Sequence, residues 1–328
     1  YSEAQQYFSK ALPLLPEIDI RRAKSYNNNA FALQERQQFS AAIAQYKAAL
    51  ELLRLCRESV DKTSAYIDVH INLANIYGRT VKFDSAYYYL QQLKEIISSE
   101  VQTDIADYHQ QLGEIYFLDH QYELSREQIE QALSIRRNVF GNHHPKIGVA
   151  YRRLGRIAEM TGRYDQALTY YQQAITAFVP TFKFDALQDL PDPKIFSNDR
   201  LELLTTLKFK AKVFQALQEQ AAAKSTLQLA TQLIDQIRQN YLADGSKYAL
   251  LERAMPIYEQ AIDLAVKMNE LEWAMQISEK SKSTLLLENI RHSEAKAFAG
   301  IPKEWLEQER EMKVQLAFRE RLMNETES

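Results

Sequence analysis

Apolar residues recur along most of the chain at intervals of three and four positions, the spacing of one face of an α-helix. Short polar stretches such as Thr161-Gly162-Arg163 separate these amphipathic segments. The pattern predicts long helices joined by short turns. It is clearest around that turn, in the apolar and small residues Tyr151, Leu154, Ala158, Tyr164, Ala167, Leu168, Tyr171 and Ala174.

One arrangement of small and aromatic residues occurs six times. A small residue in a predicted first helix is followed nine positions later by an aromatic residue and twelve positions later by a second small residue. Each set predicts one helical hairpin, which must stack on its neighbours because it cannot bury its apolar face alone. Four sets fit fully and two have weaker members: Ala30, Phe39 and Ala42; Ala74, Phe83 and Ala86; Gly113, Tyr122 and Ser125; Gly155, Tyr164 and Ala167; Ala211, Gln220 and Ala223; Ile262, Leu271 and Ala274.

This register resembles the tetratricopeptide repeat (TPR). The resemblance implies an all-α fold, a right-handed superhelical solenoid of stacked antiparallel helix pairs. The opening residues Tyr1, Ala4, Phe8 and Ala11 resemble a second helix without its first, so we expect the chain to start within a repeat. The repeats are spaced more widely than the basic period of about 34 residues. The stretch Arg136–Pro145 resembles the linker of longer, kinesin-light-chain-type repeats.

The domain organisation follows from where the repeat pattern weakens. Residues 1–179 are predicted to form a regular TPR array. Residues 180–199 hold three of the eight prolines and predict an irregular loop. Degenerate TPR-like helix pairs are expected over 200–299, and a linker helix toward a further domain over 300–328.

Two short segments resemble the helices that join TPRs to a caspase-like protease domain in bacterial TPR–CHAT proteins. They are Ile277–Lys282 and Ile301–Glu311. The resemblance implies that the array is the sensor or regulatory region of such a protein, with the CHAT domain as its C-terminal partner. We expect that protease domain to be absent from this chain, because no strand-like alternation follows Glu311.

Composition and charge exclude several classes of function. Gly and Pro number only 8 each, which favours helices over turn-rich sheets. Lys and Arg number 40 against 43 Asp and Glu, so nucleic-acid binding is not expected. No apolar run reaches the roughly 18 residues that a membrane helix requires, and we expect no membrane insertion by this fragment. We expect the protein to be cytoplasmic. Export is left open, because the native N-terminus is expected to be missing.

No catalytic, metal-binding or cofactor-binding set is apparent. Cys56 follows a predicted second helix, and no histidine is placed in the sequence to activate it, so a structural role is expected. His143 and His144 are adjacent on a predicted loop, a poor arrangement for chelating one ion. Phosphate-cradling glycine motifs are lacking. We therefore predict a protein that is not an enzyme and holds no cofactor.

The expected binding surface is the concave wall formed by the first helices. Asparagine amides can bond an extended peptide backbone, and arginine or lysine can hold carboxylates. The outward-facing positions of each first helix are found by counting from its small residue. Along the array these positions carry amides first, then a neutral-to-acidic patch that includes Glu114, and finally a basic group. The candidate residues are Asn28, Asn72, Asn75, Arg79, Arg152, Arg153, Arg156, Lys208 and Lys212.

Three functions are compatible with the sequence. The first is a protein- or peptide-binding sensor region of a CHAT protein. The second is a free-standing adaptor or peptide-receptor scaffold that resembles kinesin-light-chain or peptide-pheromone-receptor TPRs. The third is an architectural spacer, in which residues such as Asn72, Asn75 and Arg153 only solvate the inner face or bridge adjacent repeats.

Overall fold

The computed structural model describes residues 15–97, 101–192, 197, 199–240 and 244–282. Across these ranges the chain forms helices, turns and irregular segments and contains no strand. The all-α prediction is therefore confirmed. The chain divides into two compact units, Tyr1–Asn240 and Tyr241–Ser328, which are considered separately below.

The described helices have lengths between 12 and 24 residues. In the first unit they are α1 (Ile20–Glu35), α2 (Phe39–Leu55), α3 (Val60–Arg79), α4 (Phe83–Ile96), α5 (Gln102–Leu118), α6 (Tyr122–Phe140), α7 (Pro145–Met160), α8 (Tyr164–Phe178), α9 (Arg200–Ala216) and α10 (Gln220–Asn240). In the second unit they are α11 (Asp244–Lys267) and α12 (271–282).

Consecutive helices of the first unit pack as five pairs: α1 with α2, α3 with α4, α5 with α6, α7 with α8, and α9 with α10. The second helix of each pair also packs against the first helix of the next pair. First helices contact one another between α1 and α3, α3 and α5, and α7 and α9. The fold is thus a stack of antiparallel helix pairs, as the repeats predict.

The small residues of the repeat lie where the two helices of a pair approach most closely. Ser125 on α6 is buried and its Oγ donates a hydrogen bond of 2.7 Å to the carbonyl oxygen of Gly113 on α5. A Cβ atom added to Gly113 would lie 2.7 Å from Ile129, and one added to Gly155 would lie 2.4 Å from the ring of Tyr171. Real Cβ atoms do not tolerate such contacts. Packing therefore favours glycine most strongly at Gly155, where the added atom would meet the buried ring of Tyr171, whereas at Gly113 it would meet the flexible end of Ile129.

The turn inside each pair has the same backbone conformation in all six repeats of the described chain. The residue seven positions after the first small residue has a positive φ, between 57° and 73°. In the α3–α4 turn, the N–H of Val81 donates to Gly78 at 3.1 Å and that of Lys82 donates to Tyr77 at 2.8 Å. These two bonds are those of a Schellman C-cap. The six positive-φ residues are Gln37, Val81, His120, Gly162, Gln218 and Asn269.

Two expectations about the connections have different outcomes. The described part of the proline-containing segment, between α8 and residue 192, forms neither helix nor strand. The stretch Arg136–Pro145 is not a linker throughout, because α6 continues to Phe140 and only residues 141–144 separate it from α7. Arg136 is almost fully buried and its Nη2 donates to Asp107 at 2.5 Å. The reason is that Arg136 still lies on the packed face of α6, where it reaches α5.

Several expectations fall on residues that the structure does not describe. The opening residues Tyr1 to Ala11, the joining segment Ile301–Glu311 and the linker helix expected over 300–328 lie outside the described ranges. The domain boundaries proposed above remain predictions.

Replacing Gly155 by Ala is expected to lower the free energy of unfolding by about 1–3 kcal/mol, because the new methyl group must displace the buried ring of Tyr171. Urea unfolding followed by circular dichroism measures this loss. The double variant Gly155→Ala/Tyr171→Leu, which removes the ring, should lose less than the two single variants together. Additive losses would contradict the contact.

Replacing Val81 by Asn is expected to raise the free energy of unfolding by about 1 kcal/mol. Val81 has φ of 58° and is 74% exposed, and a β-branched residue is strained in this conformation whereas Asn tolerates it. At the equivalent turn position of another repeat, Gly162→Val should lower the free energy of unfolding by about 1–2 kcal/mol. Gly162 has open space around it, so the substitution strains only the backbone. Chemical denaturation checks both, and a Val81→Asn protein no more stable than the original would refute the strain argument.

Candidate functional site: an arginine cleft on the first helices

A small cleft of about 50 Å³ lies between α5, α6 and α7 and is called the arginine cleft here. Helix α5 contributes a carboxylate and an aromatic ring, α6 contributes mainly apolar surface, and α7 contributes three guanidinium groups. The lining residues are Gly113, Glu114, Phe117, Ser125, Ile129, Arg152, Arg153, Arg156 and Ile157.

The position of the arginines follows from the amphipathic character of α7. The helix begins at Pro145, after His144 caps its N-terminus by accepting a hydrogen bond from the N–H of Lys146 at 3.2 Å. Its buried face includes Leu154 and Ala158. The three arginines occupy the remaining face, where their side chains retain between 15% and 29% exposure.

Each arginine contacts a group on a neighbouring first helix. Arg153 forms an ion pair with Glu114 on α5, and Arg152 forms one with Glu202 on α9. The guanidinium of Arg156 lies between two aromatic rings, 4.0 Å from the centroid of Phe209 on α9 and 5.4 Å from that of Phe117 on α5. Together, these contacts tie three successive repeats to one another.

Glu159 joins the same network from α7. Its carboxylate accepts a hydrogen bond of 3.1 Å from the hydroxyl of Tyr171 and one of 2.6 Å from Lys212 Nζ on α9. Arg156 Nε lies 3.6 Å from it. Because Glu159 is only 7% exposed and has these three neighbours, it is a fixed structural anion.

The cleft retains donor capacity after these contacts are made. The Nε atoms of Arg152, Arg153 and Arg156 are buried and have no acceptor among the described residues. A guanidinium group carries five N–H donors, so one ion pair leaves several unused. Burial, reinforced by Arg156, lowers the pKa of Arg153 to about 10, which leaves it charged at neutral pH. The arrangement is therefore suited to an additional anion.

The nine predicted residues fall into two groups. The basic residues of α7 and α9 come together: Lys212 pairs with Glu159, and Lys208 Nζ lies 4.7 Å from the centroid of Phe209. The carboxylates of Glu114, Glu159 and Glu202 pair with four of these basic side chains, and the fifth, Lys208, lies beside Phe209. The four paired side chains are Arg152, Arg153, Arg156 and Lys212.

The second group, three asparagines and Arg79, lies on α1 and α3. Asn28 is exposed and Asn75 is half-buried, whereas the amide of Asn72 donates to Asn27 at 3.0 Å. Arg79 lies 3.7 Å from Glu35, and its guanidinium is 5.7 Å from the ring centroid of Phe39. Asn72 and Arg79 thus bridge adjacent repeats, one of the roles anticipated above, and binding by these residues remains a prediction.

The partners of the arginines were not predicted. Glu114 was placed on the wall without its ion pair, and Phe117, Glu159 and Glu202 were not singled out. One signal existed: Glu114, Arg156 and Lys212 each directly follow the first small residue of successive repeats. That spacing places opposite charges at equivalent positions but does not reveal which pairs form.

Metal, thiol and membrane chemistry receive no support from the described residues. They contain no group of three His, Cys, Asp or Glu side chains placed to hold a metal ion. Burial raises the pKa of the Cys56 thiol, which disfavours the reactive thiolate. No helix in the described ranges has the length and apolar character to cross a bilayer.

Comparison with known proteins agrees with this architecture. Residues 104–178, which span α5 to α8, match the family model described as tetratricopeptide repeat. The fold is a TPR fold. The sequence matched no curated protein.

Solved structures with the same fold include two TPR-like relatives of low sequence identity. BtubC (BKLC) from P. vanneervenii is 15% identical, with a TM-score of 0.54 over 74% of this chain and 91% of that one. A STAND protein with a tetratricopeptide repeat sensor from Pyrococcus horikoshii is 16% identical, with a TM-score of 0.51 over 86% of this chain and 43% of that one. At these identities the likeness establishes the fold alone.

A second polar cluster in the TPR array holds the irregular segment after α8 in place. Lys210 on α9 is fully buried, and its Nζ donates to Gln172 Oε1 at 2.8 Å and to the carbonyl of Asp189 at 3.0 Å. Gln172 Nε2 donates to the carbonyls of Ala186 and Asp189, both at 3.0 Å. Burial lowers the pKa of Lys210 to about 7. Sequence reasoning missed this lysine, although it lies between Lys208 and Lys212.

Lys210 predicts a specific pH dependence of stability. The unfolded chain retains the lysine proton up to about pH 10.4, whereas the folded chain releases it near pH 7, so folding becomes more favourable as the pH rises. Between pH 7 and pH 9 this gain is roughly 2 kcal/mol. Urea titrations at both values should show Lys210→Met losing that gain and Lys208→Met retaining it. Equal pH slopes in the two variants would disprove the assignment.

Proposed function

We propose that this TPR array is a non-catalytic scaffold that binds an acidic segment of a partner protein on the face formed by its first helices. The observation that carries the proposal is the arginine cleft, where three guanidinium groups meet one lining carboxylate, Glu114, and their buried Nε–H groups lack an acceptor among the described residues. TPR repeats are in general protein-interaction scaffolds, which supports the same assignment.

The chemistry of the cleft favours a carboxylate-bearing ligand. Charge-assisted bonds from arginine to a carboxylate are roughly twice as strong as neutral hydrogen bonds and are often bidentate. The rings of Phe117 and Phe209 hold the guanidinium of Arg156 and provide apolar surface beside it. Asn28, Asn72, Asn75 and Arg79 extend the proposed face toward α1, where amides can bond a peptide backbone.

The broader assignment is the sensor or regulatory region of a CHAT-domain protein. It rests on the resemblance of residues 277–282 and 301–311 to the segments that join TPRs to CHAT domains. The full coding sequence tests it: an α/β domain with paired His and Cys after Ser328 would support it. A parent protein without such a domain would overturn it and favour the free-standing adaptor.

The binding proposal is tested with a fluorescein-labelled hexaglutamate peptide and fluorescence anisotropy at low ionic strength. The double variant Arg153→Gln/Arg156→Gln is expected to weaken binding at least tenfold, because two charge-assisted contacts are lost. The matched control Arg126→Gln/Arg163→Gln removes two cations that pair with Glu123 outside the cleft. Equal affinity in both double variants, or no binding by the unmodified protein, would refute the proposal.

A further inference from the structure

The carboxylate of Glu114 differs from the other two acidic groups around the arginines. Glu114 lines the cleft itself, whereas Glu159 and Glu202 do not. It lies on α5 and pairs with Arg153 on α7, so its contact crosses from one repeat to the next. The carboxylate of Glu114 therefore pairs with Arg153 inside the cleft where an acidic ligand would bind.

Glu114 is also less firmly held than Glu159. The side chain of Glu114 is 31% exposed and has Arg153 as its ion-pair partner. Glu159 is 7% exposed and is fixed by Tyr171, Lys212 and Arg156. Because Arg153 is buried enough for desolvation to lower its pKa, its guanidinium favours keeping a carboxylate partner. A partner carboxylate that takes the place of Glu114 keeps Arg153 paired, whereas displacing Glu159 would break its contacts with three neighbours at once.

We propose that Glu114 is an intramolecular competitor, whose carboxylate occupies Arg153 in the free protein and is displaced by an acidic segment of the partner. This inference rests on the proposed function, since it assumes that acidic segments enter the arginine cleft. Displacement also breaks the link between α5 and α7 that the Arg153–Glu114 pair provides. Glu114 therefore sets both the affinity for the partner and a contact between repeats.

The test compares three variants with the unmodified protein, again with labelled hexaglutamate and anisotropy at low ionic strength. Glu114→Gln keeps the shape of the side chain and removes its charge, so it is expected to bind about tenfold more tightly. Glu123→Gln makes the same change in net charge at a carboxylate that pairs with Arg126 and Arg163 outside the cleft. It should bind as the unmodified protein does. Glu114→Asp retains the charge and should not reach the affinity of Glu114→Gln.

The possible results separate this inference from the proposed function. If Glu114→Gln is the only variant that binds more tightly, the result supports both the acidic-ligand site and the competitor role of Glu114. Binding by all four proteins with equal affinity, or an equal gain in Glu114→Gln and Glu123→Gln, overturns the competitor and leaves the acidic-ligand site in place. If hexaglutamate binds none of the four proteins, the proposed function fails and the inference fails with it. Thermal unfolding of each variant confirms that the comparison is made between folded proteins.

Discussion

The close contact between the two helices of each repeat is the interaction on which the rest of the structure depends. At Gly113 the second helix approaches so closely that Ser125 bonds the first helix's backbone, and at Gly155 the ring of Tyr171 fills the space of a side chain. Interiors are packed as densely as organic crystals, so such contacts admit little variation. The pair becomes a rigid unit, and its remaining apolar surface can only be covered by another pair.

The same contact explains why unfavourable backbone conformations persist in the turns. A small residue on each helix, twelve positions apart, leaves a turn of fixed length whose αL residue closes the first helix. Glycine is the natural residue there, yet in the described repeats it occurs only at Gly162. At Val81 the strain is tolerated because packing on both sides of the turn sets the register. The turn follows the helix contact rather than determining it.

This hierarchy also explains how much could be predicted from the sequence. The helix pairs were predictable because the determining contacts join residues only twelve or sixteen positions apart, as Gly113 with Ser125 and Gly155 with Tyr171, and this spacing repeats. The partners of the cleft arginines were not, because Arg152 and Glu202 are 50 positions apart and Lys212 and Glu159 are 53 apart. Those contacts depend on how one repeat stacks on the next, which residue spacing does not encode. Lys210 was missed for a similar reason, since an irregular segment buries it.

The arginine cleft combines two roles that are usually separate. Its cations bridge α5, α7 and α9, and the same guanidinium groups retain buried donors without acceptors. A purely structural network would gain by satisfying those donors, because buried unpaired polar groups cost free energy. A pure binding site would gain by removing Glu114 from the cleft. The presence of both features is expected if an acidic partner exchanges with an internal carboxylate, because the exchange couples ligand binding to the contacts between repeats.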